Sequence, residues 1–158
     1  LTQCKSANYN PTFFGCDGLD GLLSIKNFDT SLCEGVMLLT PFAADAQDQA
    51  TQDFVKKYKD AYKGETPNQF AADAYDGVMV LAELMKKEGI TADMSASDIC
   101  DKLKKAISDK DFSYDGLTGT GMKWGEDGAV SKDPKAVIIK NGAYSALTAD
   151  DIAASTAQ

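Results

Sequence analysis

The chain contains no histidine and no arginine. Without an imidazole, Ser-His-Asp and Cys-His nucleophile systems cannot be assembled from these residues. Acid–base work would fall to carboxylates, lysine or tyrosine. All basic residues are lysines, 16 against 24 acidic residues, leaving a net charge of -8 at pH 7. No basic stripe is present, which argues against nucleic acid as a partner. No apolar run approaches the roughly 18 residues of a membrane-spanning helix. Leu1-Thr2-Gln3-Cys4-Lys5 lacks the basic and apolar segments of a signal peptide. It has the cysteine of a lipoprotein cleavage box, but Gln3 stands where a small residue is wanted.

Cysteine is scarce and widely spaced, at positions 4, 16, 33 and 100. With no Cys-x-x-Cys pair and no histidine, the set does not read as a zinc site. Cys100 falls on a helical apolar stripe and reads as a small buried hydrophobe. Among Cys4, Cys16 and Cys33 one disulfide is available in an oxidising compartment, with the pairing open. Gly119-Thr120-Gly121 lacks both the Lys-Ser/Thr pair and the following helix of a phosphate loop.

What is present is the balance of a globular protein: 44% hydrophobic and 25% charged over 158 residues. Thr12-Phe13-Phe14 predicts a buried strand running into a turn at Gly15-Cys16-Asp17-Gly18, extended by Asp20-Gly21. Ser24 to Cys33 predicts a short irregular helix. Gly35-Val36-Met37-Leu38-Leu39-Thr40, closed by Pro41, predicts a strand covered on both faces. Phe54, Val55, Tyr58, Ala61 and Tyr62 then recur at helical spacing up to Gly64. Thr66-Pro67-Asn68-Gln69 has the form of a capping box with Thr66 as N-cap. The helix behind it would bury Phe70, Ala74, Val78, Leu81, Ala82 and Met85. A third helix, from near Ser97, would bury Ile99, Leu103, Ala106 and Ile107. Ala136 to Lys140 predicts a strand, Asn141-Gly142 a hairpin turn, and Ala143 to Leu147 the return. Asp150 to Gln158 reads as loosely held. This order says α/β, and helices between strands imply a largely parallel sheet.

Four stretches in this order resemble the carboxy-terminal part of the type I periplasmic-binding-protein family, near the leucine/isoleucine/valine-binding proteins. They are Phe14-Gly15-Cys16-Asp17-Gly18; Glu34-Gly35-Val36 through Thr40-Pro41; Phe54 to Tyr75, a helix, a Gly-x-x-Pro step and an Ala-rich helix with Ala74-Tyr75-Asp76; and Gly116-Leu117-Thr118-Gly119 followed by Trp124, Asp127-Gly128 and Asn141-Gly142. The resemblance implies parts of two Rossmann-like three-layer lobes. Residues 1–41 would end the second lobe, residues 42–132 complete the first, and residues 133–158 return to the second. The family's amino-terminal half, with any signal sequence, would lie outside this chain.

By the same resemblance the protein captures an amino acid, with the branched-chain amino acids as candidates, between the lobes and passes it to a membrane ABC permease, outside the cytoplasm and without a cofactor or catalysis. Asp17 matches the acidic residue that accepts hydrogen bonds from the ligand's ammonium group, flanked by Cys16 and Gly18. Phe70 matches an aromatic position lining the side-chain pocket. Asp17 is one methylene shorter than the family's more usual Glu. Read without the family, Asp17 is a turn aspartate making local bonds and Phe70 a packed helix residue. Two other functions fit the same features: the ligand-binding ectodomain of a receptor, and an enzyme pairing Asp17 with Asp20 or Glu34.

Overall fold

The computed structural model describes residues 1–156, which divide into two compact units. The first comprises Leu1–Gln69 together with the segment from Pro134 onward, and the second is Phe70–Asp133.

The first unit is built on a four-stranded sheet ordered β1 (Phe14–Gly15), β2 (Met37–Thr40), β3 (Lys135–Lys140), β4 (Ala143–Ala146). Only β1 and β2 are parallel; β2–β3 and β3–β4 are antiparallel. The expected largely parallel sheet is corrected here. Most of the helical chain between β2 and β3 belongs to the second unit, so it is not the crossover of a β-α-β unit and sets no parallel return. Asn141 and Gly142 join β3 to β4 with φ of 51° and 74°. Those are the left-handed angles an Asn-Gly hairpin turn requires. Glu34 clasps the turn by accepting from the Asn141 N–H at 2.8 Å.

β2 is buried along its length, Leu39 excepted, as its unbroken apolar run implies. Cys33, Val36 and Ile139 form one core, with Phe13, Leu19, Leu22, Leu23, Phe28 and Tyr144 packed around it. Phe14, expected to be buried, is instead 58% exposed, because β1 is two residues long and its side chains alternate. The predicted irregular helix resolves into two 3₁₀ turns, Leu22–Ser24 and Thr30–Cys33. All four cysteines are free thiols.

Helix α2 (Gln49–Ala61) follows, after the short α1 (Thr2–Ser6) at the start of the chain. Asp48 accepts from the Thr51 N–H at 2.9 Å, and that bond holds its carboxyl below the ordinary value. Phe54 and Val55 are buried, and Phe54 meets Phe42 edge-on at 5.9 Å. Tyr62 of the predicted stripe is exposed and stacks on Tyr58 at 4.4 Å.

The end of the chain, expected to be loose, forms α5 (Ala149–Thr156); Ala157 and Gln158 lie outside the described residues. Thr148 and Asp151 cap each other reciprocally, and Asp151 pairs with Lys140 at 2.5 Å. The Lys140 and Thr148 bonds pull the Asp151 carboxyl down to about 2.

The second unit holds α3 (Gln69–Lys87, all but its first residue) and α4 (Ala96–Ile107). α4 starts one residue earlier than Ser97, because Ser95 caps it and exchanges bonds with Asp98. Val80, Leu84, Ala106 and Phe112 form its core, with Leu103, Ile107, Tyr114 and Trp124 against it. Cys100, read as buried, is exposed on the far side of α4.

The predicted α3 stripe is also overturned. Ala72, Asp76, Val80 and Leu84 face inward, whereas Phe70, Val78, Leu81 and Met85 are exposed. A charge settles the matter. Asp76 is buried and accepts from the N–H groups of Leu117 and Thr118 and from the Thr118 hydroxyl, at 2.7–2.9 Å. A carboxylate with three donors is stable inside, and it fixes which face of α3 turns inward. Gly116 is required beside it, since a Cβ there would stand 2.5 Å from Asp76 Oδ2.

Leu84→Ala should therefore destabilise this unit by about 2–5 kcal/mol. Urea unfolding followed by the fluorescence of Trp124, whose ring lies 6.0 Å from that of Phe112, measures it.

Candidate functional site

In the first unit the loop after β1 carries three of the four candidate residues. Cys16 precedes a 3₁₀ turn, Asp17–Leu19, and Asp17 opens it. Gly15 packs against the Leu19 side chain, which would have to shift to admit a Cβ there. Cys16, Asp17 and Gly18 are all exposed. The Asp17 carboxylate accepts from the Gly18 N–H at 2.9 Å, a bond local to the turn. The ion pairs Lys5–Asp29, Lys132–Asp73 and Lys140–Asp151 do not engage it. Phe70 opens the second unit at the first turn of α3 and is 51% exposed rather than packed.

Asp20, three residues beyond Asp17, does more structural work. Its Oδ1 accepts from the Gly21 N–H at 2.8 Å and its Oδ2 from the Gln69 N–H at 2.6 Å. Gln69 is the first residue of α3, so Asp20 supplies the acceptor that the predicted capping box assigned to Thr66. A carboxylate also answers the partial positive charge of a helix start better than a hydroxyl. The Gln69 side chain turns the other way, 1% exposed, and accepts from the Thr40 hydroxyl at 2.9 Å. Thr40 is the last residue of β2. The ends of the two parallel strands thus converge on one residue at the head of α3.

Tyr144 of β4 closes the cluster. Its hydroxyl oxygen accepts from the Gly21 N–H at 3.0 Å and its proton bonds the Asp20 carboxylate. Burial pushes the hydroxyl up to about 12, with the Asp20 charge adding to the effect and backbone bonds from Gly21 and Leu23 opposing it.

The carboxylate pairs named for catalysis are differently employed. Asp20 is taken by Gly21, Gln69 and Tyr144, and Glu34 by the hairpin turn. Among the described residues no group of three His, Cys, Asp or Glu side chains is placed to hold a metal ion. A cavity of about 610 Å³ is lined by Lys5, Asn8, Tyr9, Ser31, Glu34 and Ser155 among others, and by none of Cys16, Asp17 or Gly18. The helix-capping role of Asp20 and the clamp made by Asp76 were missed from sequence. The usable signal for Asp76 was its place at the spacing of the apolar residues Ala72, Val80 and Leu84 along α3.

Residues 1–143 match the model of the family described as periplasmic binding protein. No curated protein is detectably similar. Among solved structures, the branched-chain amino acid transporter substrate-binding protein LivJ from Streptococcus pneumoniae, in complex with isoleucine, is 21% identical with a TM-score of 0.71. The alignment covers 91% of this chain and 38% of that one. A leucine-binding protein from Thermotoga maritima is 23% identical with a TM-score of 0.67, over 94% of this chain and 41% of that one. A solute-binding protein from R. palustris in complex with benzoate is 20% identical with a TM-score of 0.69, over 90% and 36%. This chain therefore spans about two fifths of the length of these structures. Among the described residues no helix is long and apolar enough to cross a membrane.

Tyr144→Phe tests the cluster by pH. Because the folded-state value lies above the ordinary 10, the tyrosine's contribution is fully present below pH 10 and lost as pH rises through about 12. The variant should be less stable than the parent by about 1 kcal/mol near neutrality, since Gly21 N–H keeps its Asp20 bond. That gap should close between pH 10 and 12 in thermal melts taken across the range.

Proposed function

From the premise that this chain belongs to the periplasmic binding protein family, we propose that it is part of an extracytoplasmic solute-binding component of an ABC importer. In this reading residues 1–41 and 133–158 serve one lobe and residues 42–132 complete the other. The remainder of a two-lobe protein, absent from this chain, supplies the rest, and closure of the lobes delivers an amino acid to a membrane permease.

The observation that carries the proposal is the exposed Asp17 carboxylate in the turn where parallel strand β1 ends. Ligands of open α/β sheets bind beyond the carboxyl ends of strands. An ammonium group docking there would gain a charge-assisted hydrogen bond of about 1.5–3 kcal/mol. Cys16 and Gly18 frame the carboxylate. Phe70, half-exposed in the second unit, is proposed in its own right as an aromatic contact for an apolar group. The leucine and isoleucine named with two solved relatives favour such a ligand. Benzoate, bound by a third, has no ammonium group and would leave Asp17 idle.

The test is a thermal-shift series on the full-length two-lobe protein with leucine, isoleucine, valine and benzoate, alongside Asp17→Asn. Amino acid at 100 times its Kd should stabilise the parent by about 2.7 kcal/mol and the variant far less. A shift with benzoate alone, equal in parent and variant, would return Asp17 to a turn residue. The 158-residue chain by itself should show no micromolar amino-acid binding in calorimetry.

A further inference from the structure

We propose that Cys4 and Cys33 are the two halves of a disulfide that staples α1 to the 3₁₀ turn before β2. The proposal rests on the placement of these two thiols within the first unit and not on the ligand reading.

Cys4 lies on the inward face of α1. Leu1 and Cys4, three residues apart, are the partly buried positions there, while Thr2, Gln3, Lys5 and Ser6 are exposed. Leu1 packs against the core that Cys33 forms with Val36 and Ile139. On the other side of Cys4, Lys5 donates to Asp29 at 3.4 Å. Asp29 in turn caps the turn Thr30–Cys33 by accepting from the Ser31 N–H at 3.2 Å. Contacts one helical turn before Cys4 and one residue after it thus both lead to the segment that ends in Cys33. A disulfide needs Cα atoms within about 7 Å, which requires two segments held side by side in this way.

Cys4 also lines the cavity of about 610 Å³, with Ser31, Leu32 and Glu34 from either side of Cys33. Cys4 precedes β1 as Cys33 precedes β2, and those strands are parallel, so both residues belong to the same end of the pair. Cys16 follows β1 and is exposed beyond its other end. Cys100 belongs to the second unit.

The two thiols differ in access, and that sets the order of steps. Cys33 is fully buried, and burial pushes its thiol up, so it makes a poor first nucleophile. Cys4, partly buried at the cavity wall, is within reach of a small disulfide such as oxidised glutathione. Its thiolate attacks one sulfur of that oxidant, forming a mixed disulfide and releasing one thiolate. The Cys33 thiol then gives its proton to solvent and attacks the Cys4 sulfur, forming the Cys4–Cys33 bond and releasing the second thiolate. Two cysteine thiols are oxidised and one small disulfide is reduced to two thiols. The closed loop of about 30 residues contains β1, the Asp17 turn and Asp20, so the bond restrains the whole segment that carries the candidate ligand contact.

Trypsin makes the pairing directly readable. Cleavage after Lys5, Lys26, Lys56, Lys87 and Lys102 puts Cys4, Cys16, Cys33 and Cys100 on separate peptides: one ending at Lys5, then 6–26, 27–56 and 88–102. The full-length two-lobe protein is equilibrated in a glutathione redox buffer, its free thiols are blocked with N-ethylmaleimide, and it is digested without reduction for mass spectrometry. The peptide ending at Lys5 should appear joined to 27–56, with 6–26 carrying the maleimide. Oxidised parent should melt about 5 °C or more above oxidised Cys4→Ala, and the two should melt within about 2 °C of each other after reduction. Cys4→Ala carries the test because Cys33 is a core residue whose removal would itself destabilise the unit. Maleimide on both the Cys4 and the Cys33 peptides, or a link from either to 6–26, would overturn the proposal. So would oxidised parent and Cys4→Ala melting together. No ligand enters the experiment, so its failure leaves the solute-binding proposal standing.

Discussion

The carboxylate of Asp20 is the constraint on which the first unit depends. It sits in the loop after one strand, takes the first N–H of a long helix, and accepts the hydroxyl proton of a tyrosine on the last strand. Each of these groups is costly to bury alone: a helix-end N–H, a phenol and a carboxylate. Brought together they satisfy one another. The arrangement also fixes the loop that carries Asp17, because Gly21, held by both Asp20 and Tyr144, ends the segment in which Asp17 lies. The exposed carboxylate of the proposed site is therefore carried on a turn whose far end is held by its structural neighbour.

Asp76 plays the same part in the second unit, and the two aspartates show why charge outranks hydrophobicity in setting a helix's orientation. Rotating α3 to bury Val78 and Leu81 would gain about 2 kcal/mol for each side chain. It would also carry Asp76 into solvent and strand the N–H groups of Leu117 and Thr118, along with the shape of the Gly116 to Gly119 loop. Three charge-assisted bonds and the closely fitted core of Val80, Leu84 and Phe112 oppose that rotation.

Local signals were well read in the sequence. The Asn141-Gly142 hairpin, the burial of β2 at all but Leu39 and the helix ended by Gly64 all depend on residues within one or two turns of each other. What sequence did not show were choices made between distant partners. Thr66 has the form of an N-cap, but Asp20, 49 residues before Gln69, is a better acceptor and takes the position. α3 carries two apolar stripes of similar strength, and periodicity alone cannot say which is inward. The sheet was expected to be parallel because helices separate β2 from β3, but most of those helical residues belong to another unit. The resemblance to the binding-protein family held because it rests on the order of whole segments, which such local errors do not disturb.

The proposed ligand chemistry comes down to reach. Asp17 already accepts one bond from Gly18, so one side of its carboxylate is turned toward its own backbone. A carboxylate has about four lone-pair sites, enough for the local bond and an ammonium group together. The local bond also holds the carboxylate in one orientation before ligand arrives, which lowers the entropy lost on binding. The same bond that makes Asp17 an ordinary turn aspartate would thus prepare it as an ammonium acceptor. Its short side chain would require the ligand to come close to the strand end. A small α-amino acid can do so with its ammonium leading.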